Sequence, residues 1–322
     1  MLIAPLLLGL VPAPAPTLAL PLNDGAQAEH LPAETRFVAH VDFRAVFESS
    51  LWKQGLGDMV RGELSNDEGF QQMKTELGLD PFEDLHSVTV FGSSPDEDSV
   101  AVLVRGTKAL EGALRRIEGM DGHTSFEVEG LKLHVFDEGG DNTYLYAHDG
   151  GRSDERTIVL SPNRTELLRT ALVLRGQRQS IAGARAAGGG AAALDLESPA
   201  GTILHVAFAG AIPGLDGDDP VSGVLRQARG GVFSLGESRG ELALHLGILT
   251  DSEDQALEMA DAVDGLKALG NLLLKNADDV PPEARQLLRS FRVNSDDNKV
   301  FVDFSFPIEK LFEMADENGL LK

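Results

Sequence analysis

The chain has 322 residues, a formal net charge of −23 and no cysteine. Such acidity opposes binding to nucleic acid or to an anionic membrane surface. The missing thiols exclude disulfides, thiolate metal sites, a cysteine nucleophile and an N-terminal lipid anchor on cysteine, while 42% hydrophobic residues over this length allow two domains with real cores.

The apolar run Leu2–Val11 is too short to span a bilayer, which takes roughly 20 apolar residues. Small-residue sites ending at Ala19 and at Ala28 follow it, the layout of a secretory signal peptide over residues 1–28, although no basic residue precedes the run. Export to the bacterial periplasm or medium is the expectation, with no stable membrane insertion once the signal is removed.

The first strand is expected at Phe37–Phe43, where Phe37, Ala39, Val41 and Phe43 alternate with Val38, His40 and Asp42. Helices follow over Val46–Leu64 and Glu68–Leu77, with Gly78 and Pro81 as stops. Ser87–Gly92 and Ser99–Arg105 make a hairpin. Thr107 is placed to cap a helix over Lys108–Glu118, whose Leu110, Ala113, Leu114 and Ile117 recur at helical spacing. Leu131–Phe136 and Thr143–Ala147 make a second hairpin, Thr157–Leu160 a further strand, and Arg164–Leu174 a closing helix entered through Pro162 and Asn163.

The same order then recurs. Pro199-Ala200-Gly201-Thr202 echoes Pro32-Ala33-Glu34-Thr35 and leads into a strand at Ile203–Ala209. A helix is expected at Val221–Ala228, a hairpin at Gly231–Leu235 and Glu241–Leu249, and a long helix at Glu253–Lys275. Pro281-Pro282 open a short helix to Leu288, Phe291–Asn294 and Lys299–Phe306 form a hairpin, and Ile308–Glu317 closes the chain. The fold class is therefore α+β, a tandem duplication of a curved antiparallel sheet with helices packed on one face. Residues 29–176 form the first repeat and 198–322 the second. The Ala/Gly-rich stretch 177–197 is expected to be a linker, because consecutive glycines each cost a helix about 1 kcal/mol.

Motifs that suggest chemistry are matched against their context. Gly236-Glu237-Ser238-Arg239-Gly240 has the spacing of a nucleophile elbow, which needs a strand-to-helix turn. Here Leu242, Leu244 and Leu246 alternate as a strand, so the glycines are expected to serve a hairpin. The acidic runs Asp216–Asp219, Asp137–Asp141 and Asp296-Asp297 lack the distal glutamate of a calcium loop and suit solvated turns. His40 with Asp42, and His134, His205 and His245, fall on the non-core side of their strands, where exposure or a covering helix accounts for them without a metal. Seven arginines between residues 150 and 190 are expected to pair with acidic neighbours rather than form a binding surface. Trp52, with Leu51, Leu56 and Met59, suits a core position.

Leu31-Pro32-Ala33-Glu34-Thr35 with Val38–Asp42, Ser87-Val88-Thr89-Val90, and Ile158-Val159-Leu160-Ser161 running into Thr165-Glu166-Leu167-Leu168 resemble uncharacterised secreted bacterial proteins of planctomycete-like lineages. The resemblance implies no catalytic residue. The sequence supports an exported, non-enzymatic binding or scaffolding protein, its partner a protein or a small apolar ligand. A periplasmic carrier of an apolar ligand or lipid is the alternative, and a hydrolase using Ser238 the second alternative. No catalytic, cofactor-binding or metal-binding residue is assigned, and no cofactor is expected.

Overall fold

A computed structural model describes residues 22–23, 28–94, 99–138, 141–149, 154–187, 196, 198–210, 226–276 and 282–317. The chain divides into two compact units after residue 192. The class is α+β with antiparallel sheets, as expected. A two-residue strand, β1 (Leu22–Asn23), pairs with β9 (Ser198–Pro199) as part of the second unit.

The first unit opens on β2 (Phe37–Asp42). The Asp42 carboxylate accepts the Ala45 N–H at 3.0 Å and so caps α1 (Phe43–Glu48). A π-helical turn, Trp52–Leu56, leads into α2 (Gly57–Leu64). Helix α3 (Glu68–Gln72), capped by Asp67, runs into a second π-turn, Met73–Leu77, that Gly78 ends in the left-handed region at φ 66°. Pro81 stops nothing: it occupies the first turn of α4 (Pro81–Asp84), where its missing N–H costs no bond. Strands β3 (Leu85–Gly92) and β4 (Val100–Gly106) follow, then α5 (Ala109–Glu118). The meander β5 (His123–Val128), β6 (Leu131–Glu138), β7 (Asp141–His148) and β8 (Arg156–Ser161) leads to α6 (Arg164–Leu174) and α7 (Ile181–Ala186). The sheet order is β2-β3-β4-β8-β7-β6-β5, antiparallel throughout.

Alternation sorts this sheet into two faces. On one, Val88, Val104, Leu145 and Ile158 pack with Leu110 and Ala113 of α5 and with Leu79. The helix layer foreseen in the sequence is this one. The opposite face carries a second layer, α6, which packs on β4, β7 and β8. Arg175, at its C-cap, bonds Tyr146, and Arg164, in its first turn, lies 4.8 Å over the Phe126 ring. Tyr146, Val159, Leu103 and Phe91 are buried there. Each fully buried side chain of this kind contributes about 1.5–3 kcal/mol.

The second unit contains β10 (Thr202–Ala209), β11 (Gly230–Ser238), β12 (Glu241–Leu249), α8 (Glu253–Asn276), α9 (Pro282–Arg289), β13 (Arg292–Asp296), β14 (Lys299–Pro307) and α10 (Ile308–Glu317). Its order, β10-β11-β12-β14-β13, follows the connectivity of β2-β3-β4-β8-β7. The hairpin β5–β6 is what the first unit adds. Ile248 and Val300 meet Ala256 and Met259 of α8. Leu244, Phe304 and Phe306 meet Leu287 of α9 and Leu311 and Met314 of α10. All of these side chains lie on one face of the sheet.

Residues 119–130, unassigned from the sequence, hold β5. A short helix, α7, occupies 181–186. Residues 226–227 form a turn and Ala228 is buried outside any helix; residues 221–225 of the helix expected at 221–228 lie outside the described residues, as do most of residues 1–28 and the run Asp216–Asp219. No helix among the described residues is long and apolar enough to cross a membrane.

Candidate functional site

The side chains opposite the apolar face of the second sheet form a polar row. The register aligns His205 of β10 with Ser234 of β11, Ser234 with His245 of β12, His245 with Asp303 of β14, and Asp303 with Arg292 of β13. At the ordinary strand spacing the row spans about 19 Å. His205 Nδ1 lies 2.9 Å from the Ser234 hydroxyl, and His245 Nδ1 lies 2.9 Å from Asp303 Oδ1.

Asp303 is 1% exposed. A carboxylate that deep is tolerable only with a charged or hydrogen-bonded partner. His245 provides that partner, its Nδ1 donating to the carboxylate. The His245 side chain is 20% exposed and its ring stacks on Phe301, with centroids 5.6 Å apart. Two residues along the strand is Gly247, where an added Cβ would lie 3.6 Å from His245 Nε2 and 2.9 Å from Val232. The imidazole therefore points along a stretch of bare backbone. Further down the same face, Ser305 donates to Glu241.

The first sheet has half of this arrangement. His40, 4% exposed, bonds the Thr89 hydroxyl at 2.8 Å from the matching register position, as His205 (0% exposed) does Ser234. The next two positions are Leu103 and Val159, where the second sheet has His245 and Asp303. His40, His134 and His205 are thus buried rather than exposed, and His40 and Asp42 act separately, one on Thr89 and the other as a helix cap. Ser234 and Asp303 were not singled out from the sequence. The signal available was the shared phase of Ala39-His40-Val41 and Leu204-His205-Val206.

Ser238 closes β11 and pairs with Glu241 across a turn in which Arg239 and Gly240 have φ of 55° and 77°. This is a hairpin, as expected, with β11 running on to Ser238 so that only two residues are left in the turn, and no helix follows it. Gly236 lies within β11, where a Cβ would meet the Gly201 carbonyl at 2.6 Å. Asp137 lies in β6, and Asp296-Asp297 form the tip of the β13–β14 hairpin, with Asp297 at φ 49°. Three of the arginines pair with acidic side chains: Arg156 with Glu111 at 3.3 Å, Arg169 with Glu166 at 2.5 Å and Arg178 with Glu34 at 2.6 Å. Burial pushes the Glu34 carboxyl up, but the Arg178 guanidinium outweighs it and holds the group below its ordinary value. Trp52 packs among Phe47 and Phe82, with centroids 4.9 and 5.6 Å away. Among the described residues no group of three or more His, Asp or Glu side chains is gathered to hold a metal ion.

No family model and no curated protein matches the chain. The resemblance to planctomycete-like secreted families therefore rests on no matched family. The chain is similar to solved structures of TP0453. Crystal form III gives a TM-score of 0.44 at 9% identity, covering 88% of this chain and 95% of that one. Crystal form I gives 0.41 at 8% identity, covering 88% and 94%.

Proposed function

We infer that this is an exported bacterial binding or scaffolding protein, built from two copies of one α+β unit, whose binding position centres on His245, the part-exposed member of the polar row of the second sheet, set between buried Ser234 and buried Asp303. One observation carries the reading. At register positions where the first unit buries Leu103 and Val159, the second holds His245 and Asp303. A buried ion pair stabilises a fold poorly compared with apolar side chains of similar volume, so such a pair suits recognition better than stability. A non-enzymatic role is favoured because the Ser234 hydroxyl is engaged by His205 rather than by His245 Nε2. Export enters as the explanation of the N-terminal apolar run. Cleavage near Ala19 suits the fold better than cleavage after Ala28, since Ala28 is buried and its carbonyl accepts the Ala182 N–H at 3.2 Å.

The test is to give the second sheet the first sheet's pair. The variant His245→Leu/Asp303→Val is expected to unfold at the same temperature as the parent or higher, by up to about 1–4 kcal/mol. A loss of stability on that scale in thermal or urea unfolding would make the pair structural and overturn the assignment of the position.

A further inference from the structure

The hairpin β5–β6, which the second unit lacks, brings the ring nitrogens of two tilted imidazoles together beside a carboxylate. His123 opens β5, His134 lies in β6 and Glu118 ends α5. His123 Nε2 is 3.1 Å from His134 Nδ1, with ring centroids 5.3 Å apart. Glu118 Oε1 is 3.6 Å from the same His134 nitrogen. Lys132, whose side chain is 56% exposed, reaches Glu118 Oε1 at 2.7 Å.

The geometry points to a divalent transition-metal site, with zinc as the ion, held by His123 Nε2 and His134 Nδ1. Two nitrogens bound to one zinc at about 2.0–2.1 Å stand about 2.9 Å apart at a right angle and about 3.4 Å apart at the tetrahedral angle. The observed 3.1 Å lies between these values. Imidazole is the ligand that zinc, copper and nickel share, and the chain has no thiolate to compete. The site is open: two protein nitrogens, with water at the remaining positions. Glu118 lies at its rim, paired with the exposed Lys132 ammonium. His134 is buried and held by its strand, whereas His123 is at the strand's beginning, so one ligand is fixed and the other closes on the ion. A bound ion would tie β5 to β6 at the end of the sheet, where β5 pairs with β6 alone. This site is independent of the polar row in the second unit.

The alternative is a plain hydrogen bond between the two rings, and titration of the full chain with ZnCl2 separates the two. Calorimetry is expected to show one zinc per chain at micromolar affinity, together with a rise in melting temperature that EDTA reverses. His123→Ala, at the more accessible ligand, is expected to weaken binding at least tenfold. His123→Asn serves if that variant does not fold, and circular dichroism checks either one. With Cu2+ as a spectroscopic probe, the electron paramagnetic resonance spectrum is expected to show two coordinated nitrogens in the parent and one in the variant. No zinc binding by the parent, or binding and nitrogen count unchanged by loss of His123, overturns the site.

Discussion

The two sheets share a strand order and differ in where the last helix goes. In the first unit, α6 leaves β8 and packs on the face that carries His40. In the second, α10 leaves β14 and packs on the opposite face, with α8 and α9. Residue types follow the helices. The first sheet is apolar on both faces, with Leu103 and Val159 under α6. The second has its three helices on one face, and its other face sets His205, Ser234, His245 and Asp303 beside Ala207, Val232 and Phe301. The His–hydroxyl pair at the start of each row belongs to the shared plan. The His–Asp pair belongs to the second unit alone, which is why it, and not His40 with Thr89, is the candidate for function.

The comparison breaks most sharply if the second unit's carboxylate is placed in the first. Val159 is fully buried, and no histidine stands at the register position of Leu103. Val159→Asp puts an unpaired charge in that core, and a loss of about 4 kcal/mol or more is expected. Urea unfolding followed by near-ultraviolet circular dichroism reads it. A mild effect would mean that the α6 face is less closely packed than the burial of Val159 and Tyr146 indicates.

Much of this fold was legible because alternation and capping are local. Arg164–Leu174, Glu241–Leu249 and Ile308–Glu317 fall where periodicity and their flanking Asn163, Gly240 and Pro307 place them. Strand β5 was not legible, since Thr124, Ser125 and Glu127 are exposed on an edge and only Phe126 and Val128 show the alternation. The second helix layer was also hidden: α6 has apolar residues around much of its circumference, and which face it covers depends on the path of the chain after β8. The polar row was the least legible feature. Its members are 58 to 11 residues apart in sequence, as with His245 and Asp303 (58) or Ser234 and His245 (11), and become neighbours only through register. Alternation marks a residue as off the apolar face, but cross-strand pairing decides whether it meets water or another polar group.

Acid sharpens the comparison next, because the first unit holds three histidines, His86, His134 and His148, whose neutral form is favoured on folding. Burial, then the Arg44 charge, lowers the affinity of His86 for a proton. Burial likewise lowers it for His148, with Arg175 adding to the effect and Asp149 opposing it. Between the folded value and the ordinary 6.5 the unfolded chain binds more protons, so stability falls as pH drops through 6.5. Glu155 adds a lower window. Burial pushes its carboxyl up, but Arg105 and Arg44 outweigh burial and leave it below its ordinary value of 4.5. Its stabilisation is therefore present above 4.5 and is lost as pH falls below that value. Melting temperatures measured from pH 7.5 to 4 are expected to decline in two stages. His86→Gln/His148→Gln is expected to shrink the upper stage, leaving the part that buried His134 contributes, and to leave the lower stage unchanged.

The smallest effects are expected at two hairpin tips that share a turn geometry, although their hairpins hold different places in the two units. Glu129-Gly130 joins β5 to β6 and Arg239-Gly240 joins β11 to β12, with φ of 53° and 72° in the first and 55° and 77° in the second. Both are two-residue turns that need positive φ at each central residue. An added Cβ at Gly130 or Gly240 meets nothing within 4 Å, so only backbone conformation opposes alanine there. Gly130→Ala and Gly240→Ala should each cost about 1–2 kcal/mol, and by similar amounts. Ser238, one residue before the second turn, is at the strand end and pairs with Glu241. Ser238→Ala should change stability by less than about 0.5 kcal/mol and leave any hydrolysis of p-nitrophenyl esters at the level of the parent. A serine-dependent turnover that disappears in this variant would give the hairpin a role its strand–turn–strand geometry does not suit, and would return the chain to the hydrolases.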